Sequence, residues 1–249
     1  MKNEKREIMQ QKTALITGAN KGIGFETAKQ LGALGFTILV GARSEEKGKE
    51  AAAKLASEGI GARNIVLDVT DQATIDAAFR TIDEQFGSLD VLINNAGVLL
   101  EQGTFPSQLE LIDLKATFET NFFGMFAVTK AMIPLLTKSL AGRVVNVSSG
   151  VGSLTLLSDS ESEFANFHLL AYSSSKTAVN ALTIMFANEF KNTPLKFNAV
   201  EPGPTSTDLT GNTGSRSANQ AAKVIVDLAT ISEEGPTGGY FDEYGKLPW

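Results

Sequence analysis

Thr13-Ala14-Leu15-Ile16-Thr17 is a short apolar run that breaks at once into Gly18-Ala19-Asn20-Lys21-Gly22-Ile23-Gly24, then into an amphipathic stretch reaching about Leu34. Five apolar residues are strand length, and an amphipathic stretch of this size is helix length. The same order recurs along the chain. Further strands are expected at Phe36–Val40, Ile65–Val69, Val91–Ile93, Arg143–Ser149, Phe197–Val200 and Gly238–Phe241. Helical patterns fall between them, at Glu46–Ser57, from Thr70 or Asp71 to Phe86, at Leu109–Lys138, from Tyr172 to Phe190, and at Ala218–Ala229. Strictly alternating strands and helices give an α/β, doubly wound, mostly seven-stranded parallel sheet with helices on both faces. No repeat or linker divides it, so residues 12–249 are expected to form a single domain, behind a flexible tail at 1–11. Asn121 and Gly124 both disfavour a helix interior, so the long pattern at 109–138 should kink there. Pro134 marks a second bend or a boundary.

The glycine-rich turn has a chemical reading. Glycines after a first strand let backbone N–H groups approach a phosphate at a helix N-terminus, where the helix dipole favours negative charge. Gly18, Asn20, Lys21, Gly22, Ile23 and Gly24 are therefore the expected pyrophosphate cradle of a dinucleotide, although the spacing differs from Gly-x-Gly-x-x-Gly. A carboxylate for the adenosine ribose belongs just after the second strand, but Ala42 and Arg43 stand there. An arginine can hold a 2′-phosphate that a carboxylate would repel, and Lys21 adds a second cation, which favours NADP(H) over NAD. The plainer role for Arg43 is to cap a strand end. Asp68, with Val69 beside it, sits where ligands of parallel sheets bind. It either accepts from an adenine amino group or ties down its loop. Asn95, Ala96 and Gly97 form a small-residue turn that admits a cofactor closely.

Composition narrows the partners. A net charge of −6 argues against nucleic acid or an anionic membrane as the main partner. Cysteine is absent, which removes disulfides, thiolate metal sites and a thiol nucleophile, and fits a cytoplasmic location. No metal site is expected. The N-terminus has no signal-peptide pattern, and no apolar run is long enough to span a membrane. The only histidine, His168, lies in a polar, acidic stretch and is expected to be solvated.

Tyr172 and Lys176 lie four positions apart at the start of a helical pattern, hence on one face. An ammonium beside a phenol stabilises the phenolate, so a tyrosine pKa of ~10 is expected to fall towards neutrality and suit proton exchange with a substrate oxygen.

Taken together these residues resemble the short-chain dehydrogenase/reductase family, over nearly the whole chain from Thr13 to Trp249. Thr17 to Gly24 resembles its cofactor turn, Asn94-Asn95-Ala96-Gly97 the motif supporting its central sheet, and Pro202-Gly203 its post-strand motif. Asn121, Ser149, Tyr172 and Lys176 fall at its catalytic tetrad; Ser149 is preferred to Ser148 because the family's serine is the second of such a pair. Lys21 and Arg43 resemble its NADP-preferring members. The resemblance implies a Rossmann fold and NADPH-dependent reduction of a small-molecule ketone or aldehyde. Tyr172 would give the proton, Ser149 polarise the carbonyl, Lys176 bond the nicotinamide ribose, and Asn121 anchor a water. Pro202, Gly203, Thr205 and Thr207 would border the cofactor, within a lid at about 204–217. The alternative is a non-catalytic NADP-binding redox sensor on the same fold. A long Ser149–Tyr172 spacing, an insertion at about 150–170, is similar to the carbonyl-reductase-like branch. It leaves dimer, tetramer and monomer open.

Overall fold

Strand β1 (Thr13–Thr17) is buried along its whole length and sends alternate side chains to opposite faces, as a period of two requires. Ala14 and Ile16 enter one core and Leu15 the other. The computed structural model describes residues 11–101 and 103–249; the expected tail, apart from Gln11, lies outside them. Beside β1 run β2 (Thr37–Ala42), β3 (Ala62–Val66), β4 (Val91–Asn94), β5 (Arg143–Val147), β6 (Lys196–Val200), β7 (Gly239–Asp242) and β8 (Gly245–Lys246). Their order in the sheet is β3-β2-β1-β4-β5-β6-β7-β8. Seven strands are parallel, as expected, and β8 adds a short antiparallel hairpin on β7. Chain order reverses between β1 and β4, and a crevice opens at the strand C-termini there, where ligands of such sheets bind.

The helices follow the strand faces. They are α1 (Gly22–Ala33), α2 (Glu45–Ser57), α3 (Gln72–Phe86), α4 (Leu111–Phe118), α5 (Met125–Leu136), α6 (Leu154–Ser158), α7 (Leu170–Glu189) and α8 (Ala218–Ala229). Phe25, Leu31, Leu55 and Ile225 from α1, α2 and α8 pack on the Ile16 face, while Ile75, Ile82, Met132 and Leu135 from α3 and α5 pack on the Leu15 face. Burying each such side chain contributes about 1.5–3 kcal/mol, so both layers are held chiefly by apolar area. Among the described residues no helix is long and apolar enough to cross a membrane.

Three differences from the sequence reading bear on the site. The third strand is Ala62–Val66 rather than Ile65–Val69, because its register on β2 runs from Ile38↔Ala62 to Ala42↔Val66. Leu67 still donates its N–H to the Ala42 carbonyl at 3.0 Å, but beyond it the chain leaves the sheet, and Val69 is apolar because its loop is buried. The fifth strand stops at Val147, two residues before Ser149. The long helical pattern is broken by a π-helical turn at Glu119–Gly124, between α4 and α5. The expected kink at Asn121 is therefore a widened turn, held by the Asn121 side chain and by Gly124, whose Cα packs on Val69. Pro134 sits in the last turn of α5, which ends at Leu136.

Candidate active site

At the crevice, the turn between β1 and α1 forms an anion cradle. Gly22 has φ +59°, in the region that favours glycine, and a Cβ on Gly24 would lie 2.5 Å from Asn95 Nδ2 and 2.7 Å from the Gly18 carbonyl. Helix α1 has no side-chain cap and no acidic residue in its first turn, so its leading N–H groups face outward unpaired beside Lys21. These features fit a dinucleotide phosphate. Arg43 projects exposed after β2, beside the buried Ala42, and makes no ion pair among the described residues. Lys21 is ion-paired with Asp208, which lies within the 204–217 segment.

Other expected cofactor contacts prove to hold the cradle's shape. Asn95 Nδ2 donates to the Thr17 carbonyl at 2.9 Å, and the Asn95 and Ala96 N–H groups both donate to Thr17 Oγ1 at 3.0 Å. They bind the end of β4 to the end of β1. Asp68 Oδ1 accepts from the Thr70 N–H and hydroxyl at 3.0 and 2.8 Å, which favours the loop-tying alternative for that oxygen. Thr205 is buried and its hydroxyl donates to the Gly203 carbonyl at 2.8 Å. Thr207 caps the short turn at Asp208–Thr210 and packs over Gly22, with its methyl 3.6 Å from where a Cβ would stand.

Helix α7 carries Tyr172 and Lys176 one turn apart. Lys176 Nζ stands 5.4 Å from the Tyr172 ring centroid and donates to the Val147 carbonyl at 2.8 Å. The Ser149 hydroxyl faces the Tyr172 phenol and favours its ionised form. Asn121 is fully buried: its Oδ1 accepts from Val98 N–H at 2.8 Å, and its Nδ2 donates to the Val98 carbonyl and Ser175 Oγ, both at 3.0 Å. A Cβ on Gly97 would meet Asn121 Oδ1 at 3.3 Å and Lys176 Nζ at 3.7 Å, so small size at this position keeps the group together. Ser148 is turned away and bonds Asn180 Oδ1 at 2.6 Å, which leaves Ser149 as the serine that faces the tyrosine. The four expected residues converge; His168 instead packs against Phe105 at the surface, the two rings tilted by 38°.

The electrostatics depart from expectation in one respect. Burial, reinforced by the nearby Glu201 carboxylate, pushes the Tyr172 phenol well above its usual range, against a smaller downward pull from Ser149. Lys176 is itself lowered to about 8 by burial, partly offset by Glu201. Burial and Glu201 outweigh whatever the lysine charge contributes, so the tyrosine stays protonated at neutral pH in the protein alone.

Two acidic residues at this site escaped sequence reading. Glu101 is buried, and its Oε1 accepts from the Tyr172 N–H at 2.7 Å, fastening the first turn of α7. Glu201 lies just before Pro202-Gly203 and is pushed up to about 7, burial being the main cause. Neither belongs to a spacing pattern; only an acidic residue inside an apolar context hinted at them. Below the site, the Asn94 motif supports the sheet through partners that the sequence did not name. Asn94 donates to Thr129 Oγ1 and Asn146 Oδ1, and Asn146 donates to Thr183 Oγ1, tying α5, β4, β5 and α7 through the core at 2.8–2.9 Å.

Comparison with known proteins gives this geometry its relatives. The short chain dehydrogenase family profile matches residues 12–218. A short-chain dehydrogenase of Penicillium roqueforti is 38% identical over 239 residues, covering 94% of this chain and 92% of the relative. Carbonyl reductase [NADPH] 1 of Rattus norvegicus is 31% identical over 278 aligned positions, covering 95% and 98%. Among solved structures, an NADPH-bound carbonyl reductase from chicken fatty liver superposes with a TM-score of 0.83 at 26% identity, covering 97% of this chain and all of that one. The chain belongs to the short-chain dehydrogenase family, as an oxidoreductase acting on CH–OH and C=O groups.

Proposed function

We propose that this protein is an NADPH-dependent carbonyl reductase that converts a ketone or aldehyde to an alcohol, with Tyr172 as the acid/base. The observation that carries the reading is the convergence of Ser149, Tyr172, Lys176 and Asn121 beside an uncapped, lysine-flanked helix N-terminus. Bound NADPH would supply the hydride. Tyr172, held protonated, delivers the proton to the carbonyl oxygen as negative charge grows there, and Ser149 donates a hydrogen bond to the same oxygen. Lys176 orients the nicotinamide ribose. Asn121 has both side-chain donors engaged, so its part in proton resupply passes through the main chain of the widened turn. The phosphates would rest on the α1 N-terminus, and the 2′-phosphate on Arg43 and Lys21. The rat and chicken carbonyl reductases, described as NADPH-dependent and NADPH-bound, support the cofactor choice.

An apolar substrate suits the surroundings. The Phe164 ring packs on Gly150, next to Ser149, and Phe105, Leu154 and Phe167 are exposed around the same loops. Steady-state NADPH oxidation with a panel of ketones, aldehydes and quinones tests the reading. Turnover of several members is expected; binding of NADPH with no turnover of any would favour the redox-sensor alternative.

Two substitutions probe the cofactor. Arg43→Ala removes a charge-assisted contact to the 2′-phosphate, so NADPH binding should weaken about ten- to hundredfold while NADH binding changes little. Equal losses in fluorescence titrations would discard the assignment. Asp208→Ala frees Lys21 from its ion pair. Both side chains of that pair are about two-thirds exposed, at 65% each. Such an exposed, solvent-screened pair contributes little, so NADPH affinity should rise by up to roughly fivefold. Weaker binding would mean that Asp208 orders the lid rather than competing for Lys21.

A further inference from the structure

Glu201 is 8% exposed, and each of its carboxylate oxygens takes a different backbone N–H. Oε2 accepts from Gly150, the residue after Ser149, and Oε1 accepts from Gly203 at 2.8 Å. Its own N–H donates to the Phe241 carbonyl at 2.8 Å, fixing it to β7. One side chain thus joins the loop after β5 to the loop after β6. The charged and titratable groups facing it are Lys176 and Tyr172 from α7, and Tyr240 and Asp242 from β7. Arg216 packs on Gly203 from the lid stem but is paired with Glu243 at 2.8 Å. Lys176 is therefore the cation that faces Glu201.

We propose that Glu201 is a positioning residue for carbonyl reduction, stapling the Ser149 turn to the Pro202-Gly203 loop and acting as the counter-charge of Lys176. This rests on the reductase reading above. A buried carboxylate is costly unless hydrogen-bonded, and both backbone N–H partners of Glu201 reach it only when the two loops are in place. The staple holds the serine that faces the substrate oxygen against the segment bordering the cofactor. The charge raises the proton affinity of both Tyr172 and Lys176, so it helps keep the acid loaded for reduction.

A neutral isostere separates charge from shape. Glu201→Gln keeps the volume, but its amide oxygen satisfies one N–H while the amide nitrogen opposes the other. For the panel substrate reduced fastest, kcat against pH is measured for the wild type, Glu201→Gln, Glu201→Asp and Tyr172→Phe. With the charge removed, Lys176, which stands at about 8, and Tyr172 above it both give up their protons more readily, so the alkaline fall in reduction, which Lys176 sets first, should move to lower pH. The inflection from Glu201 itself, about pH 7 in the protein alone, should vanish. Glu201→Asp should restore the alkaline limb at a reduced rate, since a shorter side chain keeps the charge but spans the loops poorly. A uniform rate loss with an unmoved limb in Glu201→Gln would overturn the proposal and leave a purely architectural carboxylate. If instead Tyr172→Phe turned over normally, the reductase mechanism would fail, and with it the inference.

Discussion

Tyr172→Phe will bind NADPH as the parent does and reduce carbonyls roughly 10²–10⁴-fold more slowly, the usual worth of a positioned general acid. The ring survives the change, so the packing of the α7 first turn against Glu101 is kept. What goes is one hydroxyl, and with it the proton that must reach the carbonyl oxygen as hydride arrives at carbon. Ser149 remains to donate a hydrogen bond, so a residual rate above background is expected, not a complete loss. Stopped-flow turnover and NADPH fluorescence titration measured on the same preparations separate the two effects. Undiminished turnover would remove Tyr172 from the mechanism, and lost NADPH binding would make it a cofactor-site residue first.

The direction of the Tyr172 shift carries a consequence for the two directions of reaction. Burial and Glu201 hold the phenol protonated, which suits an acid awaiting a carbonyl. Alcohol oxidation needs the phenolate, and only an added positive charge can offset burial there. Bound NADP⁺ carries one, so oxidation should require a higher pH than reduction. Under the proposed mechanism the protonation state of the protein alone is the one that reduction uses, and it is set by desolvation plus one carboxylate.

Periodicity and glycine placement made most of the architecture readable. Apolar runs announced the parallel strands because the central ones, β1, β4 and β5, are buried on both faces, and Gly18 to Gly24 announced the cradle because a close backbone approach tolerates little else. The two-residue Gly245–Lys246 strand has no apolar signal, since both residues are exposed, and it could not be read. The β3 boundary slipped because burial of Leu67 and Val69 in a loop leaves the same apolar mark as burial in a ladder. At the site, Tyr172 and Lys176 were legible from helical spacing. The direction of their shifts was not, because it is set by burial and then by Glu201, a residue 25 positions beyond Lys176 that the fold brings to the same site.

Lys176→Met should split activity from stability, and that split distinguishes a catalytic lysine from a structural one. Met matches the unbranched stem and is a good helix former, so α7 is undisturbed. Turnover should fall about a hundredfold or more, and NADPH should bind more weakly, because the ribose loses its ammonium donor. Folding should not suffer to match. Burial lowers the folded-state pKa of Lys176 to about 8, below its ordinary 10.5, so its stabilising contribution is full above pH 10.5 and is lost as pH falls through about 8. At pH 7 the buried charge is therefore a burden that Met does not carry. The Val147 carbonyl loses a hydrogen bond worth about 1 kcal/mol, which offsets part of that relief. Glu201, deprived of its cation, simply stays protonated to higher pH, so no stranded charge results. Thermal unfolding across pH 6 to 10 should accordingly show a cofactor-free variant as stable as the parent or more so at neutral pH, and a flatter dependence above pH 8. A variant that lost stability in step with activity would instead make the Lys176–Glu201 pair a strut of the fold, its neighbourhood to the tyrosine incidental.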